Sequence, residues 1–140
     1  MTTATGLRSL DHSLETTICW IKELQESLDL ADQQQAYSIL RAVMHTLRDR
    51  LSVNEAAEFA AQLPMVLQGL YYHEWNPSAT PEKIRSKADF LIRIREKLTE
   101  DYAMEEIVRA VFCLIKNKIS EGEIEDVKAN LPSEIKQLWE

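Results

Sequence analysis

The run ILRAVMHTLRDRLSVNEAAEFAAQLPMVLQGL, Ile39 to Leu70, returns 68 positions later as IVRAVFCLIKNKISEGEIEDVKANLPSEIKQL, Ile107 to Leu138, without a gap. Ten of the 32 positions are identical, where unrelated sequences would give about two, so the register points to tandem duplication of one unit. The identities include Ile39/Ile107, Arg41/Arg109, Val43/Val111, Ser52/Ser120, Glu55/Glu123, Leu63/Leu131 and Pro64/Pro132. Upstream, Trp20, Ile21, Leu24 and Leu28 pair with Phe90, Leu91, Ile94 and Leu98 two positions out of that register. That places a length difference in the loop after the first helix of each unit, where insertions are tolerated.

Inside each unit the apolar residues recur at three and four, the spacing of one helix face. Leu14, Ile18, Ile21, Leu24 and Leu28 predict a first helix, and Ile84, Leu91, Ile94 and Leu98 its equivalent. Ala36, Ile39, Leu40, Val43, Leu47 and Leu51 predict a second, matched by Ile107, Val108, Val111, Ile115 and Ile119. Ser52 with Glu55, and Ser120 with Glu123, have the spacing of a capping box. There the hydroxyl takes the third helical amide and the carboxylate turns back to the cap amide, so a third helix starts at each. Pro64 and Pro132 end those helices and suit the first turn of short fourth ones, Met65 to Tyr71 and Ser133 to Trp139. The expected fold is all-α, a tandem duplication with about four helices per copy, the last one short, packed into one compact bundle-like domain. The first repeat covers 1–79 and the second 80–140.

A chain of 140 residues buries roughly 70% of its unfolded surface, enough for a core without staples. The formal charge of −7 disfavours a nucleic-acid backbone or an anionic membrane as partner. Cys19 and Cys113 have neither metal-ligand spacing nor a disulfide framework, which reads as reduced thiols used for packing in a cytosol-like compartment. Met1 to Leu10 has one basic residue, Arg8, and no apolar block, unlike a secretory signal. No apolar stretch approaches the ~20 residues of a membrane span. A cytoplasmic location is expected.

The run Ala36 to Pro77, with Leu47-Arg48-Asp49-Arg50-Leu51, Ala61-Gln62-Leu63-Pro64, Gly69-Leu70-Tyr71-Tyr72 and Trp75, resembles the bacterial family known as domain of unknown function 2267. Thr17 to Ile21 fits as well, so the resemblance spans nearly the whole chain. It implies a compact all-helical duplication in the bacterial cytoplasm with no established activity, and hence no catalytic residues to carry over. His73-Glu74 departs from the small or acidic residues expected before Trp75.

Tyr71 to Pro77 is the largest difference between the copies, because the second has no counterpart beyond the residues matching Tyr71 and Tyr72. Tyr71, Tyr72, His73 and Trp75 are therefore candidates for a partner or ligand site, since aromatics offer large faces with a polar handle. The competing reading is an aromatic clasp that seats the linker between units. His12/Glu15 and His45/Asp49 have helical spacing but no further ligand beside them, so neither metal nor other cofactor is expected. His45 falls with Arg41 and Arg48 on what reads as a solvated polar face. Arg41 and Arg109 are assigned a structural role, capping carbonyls freed where the third helix ends.

Lys83 to Lys97 carries six cations against Asp89 and Glu96. It reads as solvated helix surface, or as a patch for an acidic partner or for the acidic Glu121 to Asp126 segment of a second copy; a nucleic-acid stripe would interleave aromatics. No nucleophile with a base, glycine-rich phosphate loop or apolar carboxylate pair can be picked out. A non-enzymatic protein–protein interaction module is the leading expectation, with self-association through an apolar helix face. The alternative is a small-ligand-binding protein or enzyme using Tyr71 to Trp75.

Overall fold

Every regular element of the computed structural model, which describes residues 5–140, is helical. Residues 1–4, part of the expected first repeat and of the stretch read for a secretory signal, lie outside the described residues. The helices are α1 (Arg8–Ser27), α2 (Gln33–Arg50), α3 (Val53–Ala60), α4 (Met65–Tyr72), α5 (Lys87–Arg95), α6 (Met104–Lys118), α7 (Glu121–Ala129) and α8 (Ser133–Lys136). A 3-10 turn at Pro77–Ala79 lies in the linker, and another at Gln137–Trp139 follows α8. Among the described residues no helix is long and apolar enough to cross a membrane.

The core is continuous across the chain. α1 packs on α2, α4 and α6, while α2 also meets α4, α5 and α6, and α3 meets α7. Asp32 starts α2 by accepting the Gln35 amide at 2.9 Å, satisfying one of the donors a helix start leaves free. From there Ala36, Ile39, Leu40, Val43, Leu47 and Leu51 are all buried, as their spacing required. Ile107, Val108, Val111 and Ile115 of α6 join the same cluster, with Phe90 of α5 and Trp139.

Two first-helix expectations need correction. On α1 the buried face is Ser13, Thr17, Trp20, Ile21 and Leu24, with Leu14 and Ile18 only on its flank. Ser13 is drawn inward because its hydroxyl accepts the Val66 amide at 2.8 Å, capping the start of α4 where Pro64 has no hydroxyl to offer. In the second half, Ile84 and Leu98 lie outside the helix: α5 begins only after Ser86, which caps it through the Asp89 amide at 3.0 Å. Ile84 is still wholly buried, in irregular chain before α5, and its carbonyl accepts from Arg50 Nε at 2.7 Å.

The capping boxes form by half. Ser52 and Ser120 each accept the amide three residues on, at 3.2 Å. The glutamates do not turn back. The Ser52 amide donates instead to Asn130 Oδ1 at 3.3 Å, and the Ser120 amide to Gln62 Oε1 at 3.4 Å. With their cap amides served from the opposite helix, Glu55 and Glu123 turn toward each other at the α3–α7 contact, 7% and 9% exposed. A paired carboxylate in a buried setting, which the sequence did not disclose, is therefore present.

Candidate functional site

The polar face of α2 is occupied. His45 and Arg48 are both 3% exposed, which overturns the reading of a solvated surface. The reason is the C-terminus of α4, whose last carbonyls have no helical partners. His45 Nε2 donates to the Leu70 carbonyl at 2.7 Å. Arg48 Nη1 donates to the Tyr71 and His73 carbonyls at 2.7 and 2.9 Å, while Nε and Nη2 engage both oxygens of Asp49. In the second half Lys116 Nζ performs the matching task on the Trp139 carbonyl at 2.8 Å. Burial pushes the His45 imidazole down to about 4, so at neutral pH it serves as a neutral donor.

Arg41 and Arg109 do not cap the third helices. The carbonyls of Ala57, Phe59 and Ala60 at the end of α3 are taken by the amides of Ala61, Gln62 and Leu63 in a tightened last turn. Arg109 reaches the carbonyls of Gln137 and Glu140 at 3.0 and 3.1 Å and pairs with Glu105. Arg41 donates to Glu74 Oε1 at 2.7 Å and lies 3.3 Å from His73 Nδ1, and it bonds no backbone carbonyl among the described residues. Glu74 sits at φ 65°, a left-handed conformation uncommon outside glycine. That turn aims its carboxylate at Arg41, whose hydrogen bond holds it below the ordinary carboxylate range.

Of the four aromatic-segment candidates, the structure brings His73 to an open cleft. Tyr71 is wholly buried, its hydroxyl donating to the Ala56 carbonyl at 3.0 Å. Its ring continues a series from Phe59 through Tyr72 to Trp75, with centroids 5.2–5.4 Å apart. These rings pack the end of α4 onto the core. His73 instead faces a cleft of about 490 Å³ with Tyr37, Ser38, Arg41 and Ala42 of α2 and Lys97 beyond α5. Sequence reading missed Tyr37 and Ser38, and had Lys97 only as the last cation of the basic run. Tyr37 and Arg41 share one face of α2 by their spacing, but nothing local ties Lys97 to them.

Half of the six cations in the basic run are paired. Lys87 pairs with Glu105, Arg93 with Glu82 and Asp89, and Arg95 with Asp101. Lys83, Arg85 and Lys97 are exposed and form no ion pair among the described residues, and of these three Lys97 lines the cleft. Both cysteines are exposed rather than packed, because each falls on the outer side of its helix.

Glu55 and His45 bias stability in opposite directions with pH. Burial first, then the Glu123 carboxylate, with Glu58 and Asp126 adding to it, pushes Glu55 up to about 8. A raised acid supports folding fully below its unfolded value near 4.5, and that support is lost as pH rises through 8. The lowered His45 supports folding above 6.5 and loses that support as pH falls toward 4. From pH 6.5 to 8 Glu55 therefore acts alone. In chelator-containing buffer, stability is expected to fall across that interval by at most roughly 1.4 kcal/mol per pH unit. Glu123→Gln, whose amide can donate to Glu55, is expected to flatten the slope. A flat wild-type denaturation series over the same interval would rule out the protonated pair.

Residues 19–138 match the family model described as Uncharacterized conserved protein (DUF2267). No curated protein matches the chain.

Proposed function

Since the chain belongs to the DUF2267 family of uncharacterized conserved proteins, whose description names no activity, we propose that it is a non-catalytic binding module. Its recognition point is the Tyr37–Arg41–His73–Lys97 cleft, and its partner presents an acidic protein segment. The observation that carries this reading is the cleft's make-up: two cations and an imidazole beside an exposed tyrosine, with a strained Glu74 already holding Arg41 as an incoming carboxylate would. Arginine at a carboxylate provides directional, charge-assisted hydrogen bonds, and tyrosine provides flat contact area at low entropic cost. Catalysis finds less support, because no nucleophile lines the cleft with a base in hydrogen-bonding reach.

A partner protein fits better than a second copy. In the acidic segment Glu121 to Asp126, Glu123 is turned inward. The large exposed apolar residues Leu7, Leu10, Tyr37, Val53, Met65 and Ile92 fall one or two to an element, where a self-associating face calls for a contiguous patch. The test is a titration of the ¹⁵N-labelled protein with a short Glu/Asp-rich peptide. Amide shifts are expected at Tyr37, Arg41, His73 and Lys97, with binding weakened about tenfold by added salt and by the Arg41→Ala/Lys97→Ala double variant. Absence of localised shifts at millimolar peptide, or identical binding by the double variant, would sink the proposal.

We further infer that the halves 1–79 and 80–140 are copies of one duplicated unit. Supporting this are the equivalent Ser52 and Ser120 caps, the reciprocal bonds from their amides to Asn130 and Gln62, and the equivalent cations Arg48 and Lys116 on the carbonyls of Tyr71 and Trp139. Reciprocal contact between like positions is the signature of a two-fold relation.

A further inference from the structure

Glu55 and Glu58 of α3 and Glu123 of α7 each offer one ligand oxygen, and those oxygens lie within 4.8 Å of one another. Glu58 is exposed, whereas Glu55 and Glu123 are more than nine-tenths buried. The Oε2 atoms of Glu55 and Glu123 are shielded from solvent and accept no hydrogen bond among the described residues. Buried acceptors without donors are uncommon in folded proteins because each forfeits its hydration. Asp126, one turn after Glu123, adds a fourth carboxylate to the negative field on Glu55.

We propose that Glu55, Glu58 and Glu123 form a binding site for a hard divalent cation, calcium or manganese, that clamps α3 to α7. Four features support it. Three oxygens within 4.8 Å of one another leave a central point no more than about 2.8 Å from each, so small side-chain rotations give the 2.3–2.6 Å oxygen distances that calcium takes. The donor set is all carboxylate, which suits calcium and manganese and gives zinc or copper no nitrogen or sulfur. Both buried carboxylates that carry an unpartnered oxygen gain a ligand at once, where one shared proton would serve a single oxygen pair and leave the charge of Glu58 and Asp126 uncompensated. Exposure of Glu58 leaves an open side for water to complete the coordination shell and for the ion to enter.

The clamp is available only because the cap amides of Ser52 and Ser120 are satisfied by Asn130 and Gln62, freeing both glutamates from the capping box. The site is independent of the Tyr37–Lys97 cleft, and either proposal can fail without the other. The test titrates the full-length, chelator-stripped protein with calcium chloride or manganese chloride alone, by calorimetry and by thermal melting. One ion per chain is expected, with a melting temperature that rises as the ion saturates. Glu58→Gln and Glu123→Gln should each weaken binding at least about tenfold, because affinity in such sites follows ligand charge. Asp101→Asn, remote from the cluster and 93% exposed at its side chain, should bind as wild type does. Circular dichroism on each variant separates lost ligation from lost fold, and Glu58→Gln changes only an exposed residue. Absence of saturable uptake by the folded wild type for either ion, or uptake that survives Glu58→Gln and Glu123→Gln undiminished, overturns the proposal.

Discussion

Arg48→Ala is expected to lower stability by about 3–5 kcal/mol, because the guanidinium is buried and every one of its bonded partners would lose a donor. It is 3% exposed and joins both Asp49 oxygens to the carbonyls of Tyr71 and His73. Alanine would strand two carbonyls at the end of α4 and leave Asp49, itself only 19% exposed, without its counter-charge. Each buried unsatisfied group costs roughly 1–3 kcal/mol, and the charged one more. Arg48→Lys should recover only part of this, since one ammonium cannot hold a bidentate carboxylate and two carbonyls in the same fork. Urea denaturation provides the check. A midpoint for Arg48→Ala within experimental error of wild type would mean that α4 does not depend on this cap.

Trp139→Ala carries the second large expected effect, again about 3–5 kcal/mol. The indole is 2% exposed and stacks on Phe112 with centroids 4.0 Å apart and planes 7° from parallel. Phe112 in turn meets Phe90, so the cavity left by alanine would open where α5, α6 and the C-terminal turn converge. Trp139→Phe should be much milder. It keeps an aromatic face on Phe112 and removes an indole N–H that is buried without an acceptor. Equal denaturation midpoints for the alanine and phenylalanine variants would show that neither the stack nor the filled volume at this position contributes.

Sequence legibility followed the range of the interactions. The stripes of α2 and α6 were readable because helix periodicity is local: Ile39, Val43 and Leu47 bury one face whatever they meet. The Ser52 and Ser120 caps and the proline stops were readable for the same reason, as they involve residues three or four apart. The face of α1 was misread by about one position because Ser13 is polar, and only the approach of the α4 N-terminus makes its burial favourable. Ile84 was placed in a helix on spacing alone, although the Ser86 cap begins α5 after it.

The candidate site was less legible. His73 was singled out, but its neighbours Tyr37 and Lys97 come from other elements. Tyr71 and Trp75 were noticed for their chemistry and turn out to pack the end of α4. His45 and Arg48 looked like surface because charge and polarity in a helix usually mean solvent, and no local pattern announces that another helix ends against them.

What the sequence by itself determined is the all-helical class, the order of most elements, the starts of α3 and α7 at their serine caps and the proline stops after them. Each of these follows from backbone hydrogen bonding and side-chain spacing within a few residues. Only the tertiary structure decided which polar groups are buried, and with whom. The Ser52 amide chose Asn130 over Glu55, Arg48 chose the carbonyls of α4, and Glu55 was left facing Glu123 across the α3–α7 contact. The physical reason is that a buried donor or acceptor must find a partner wherever packing brings one. Here those partners lie from 23 to 78 residues away along the chain.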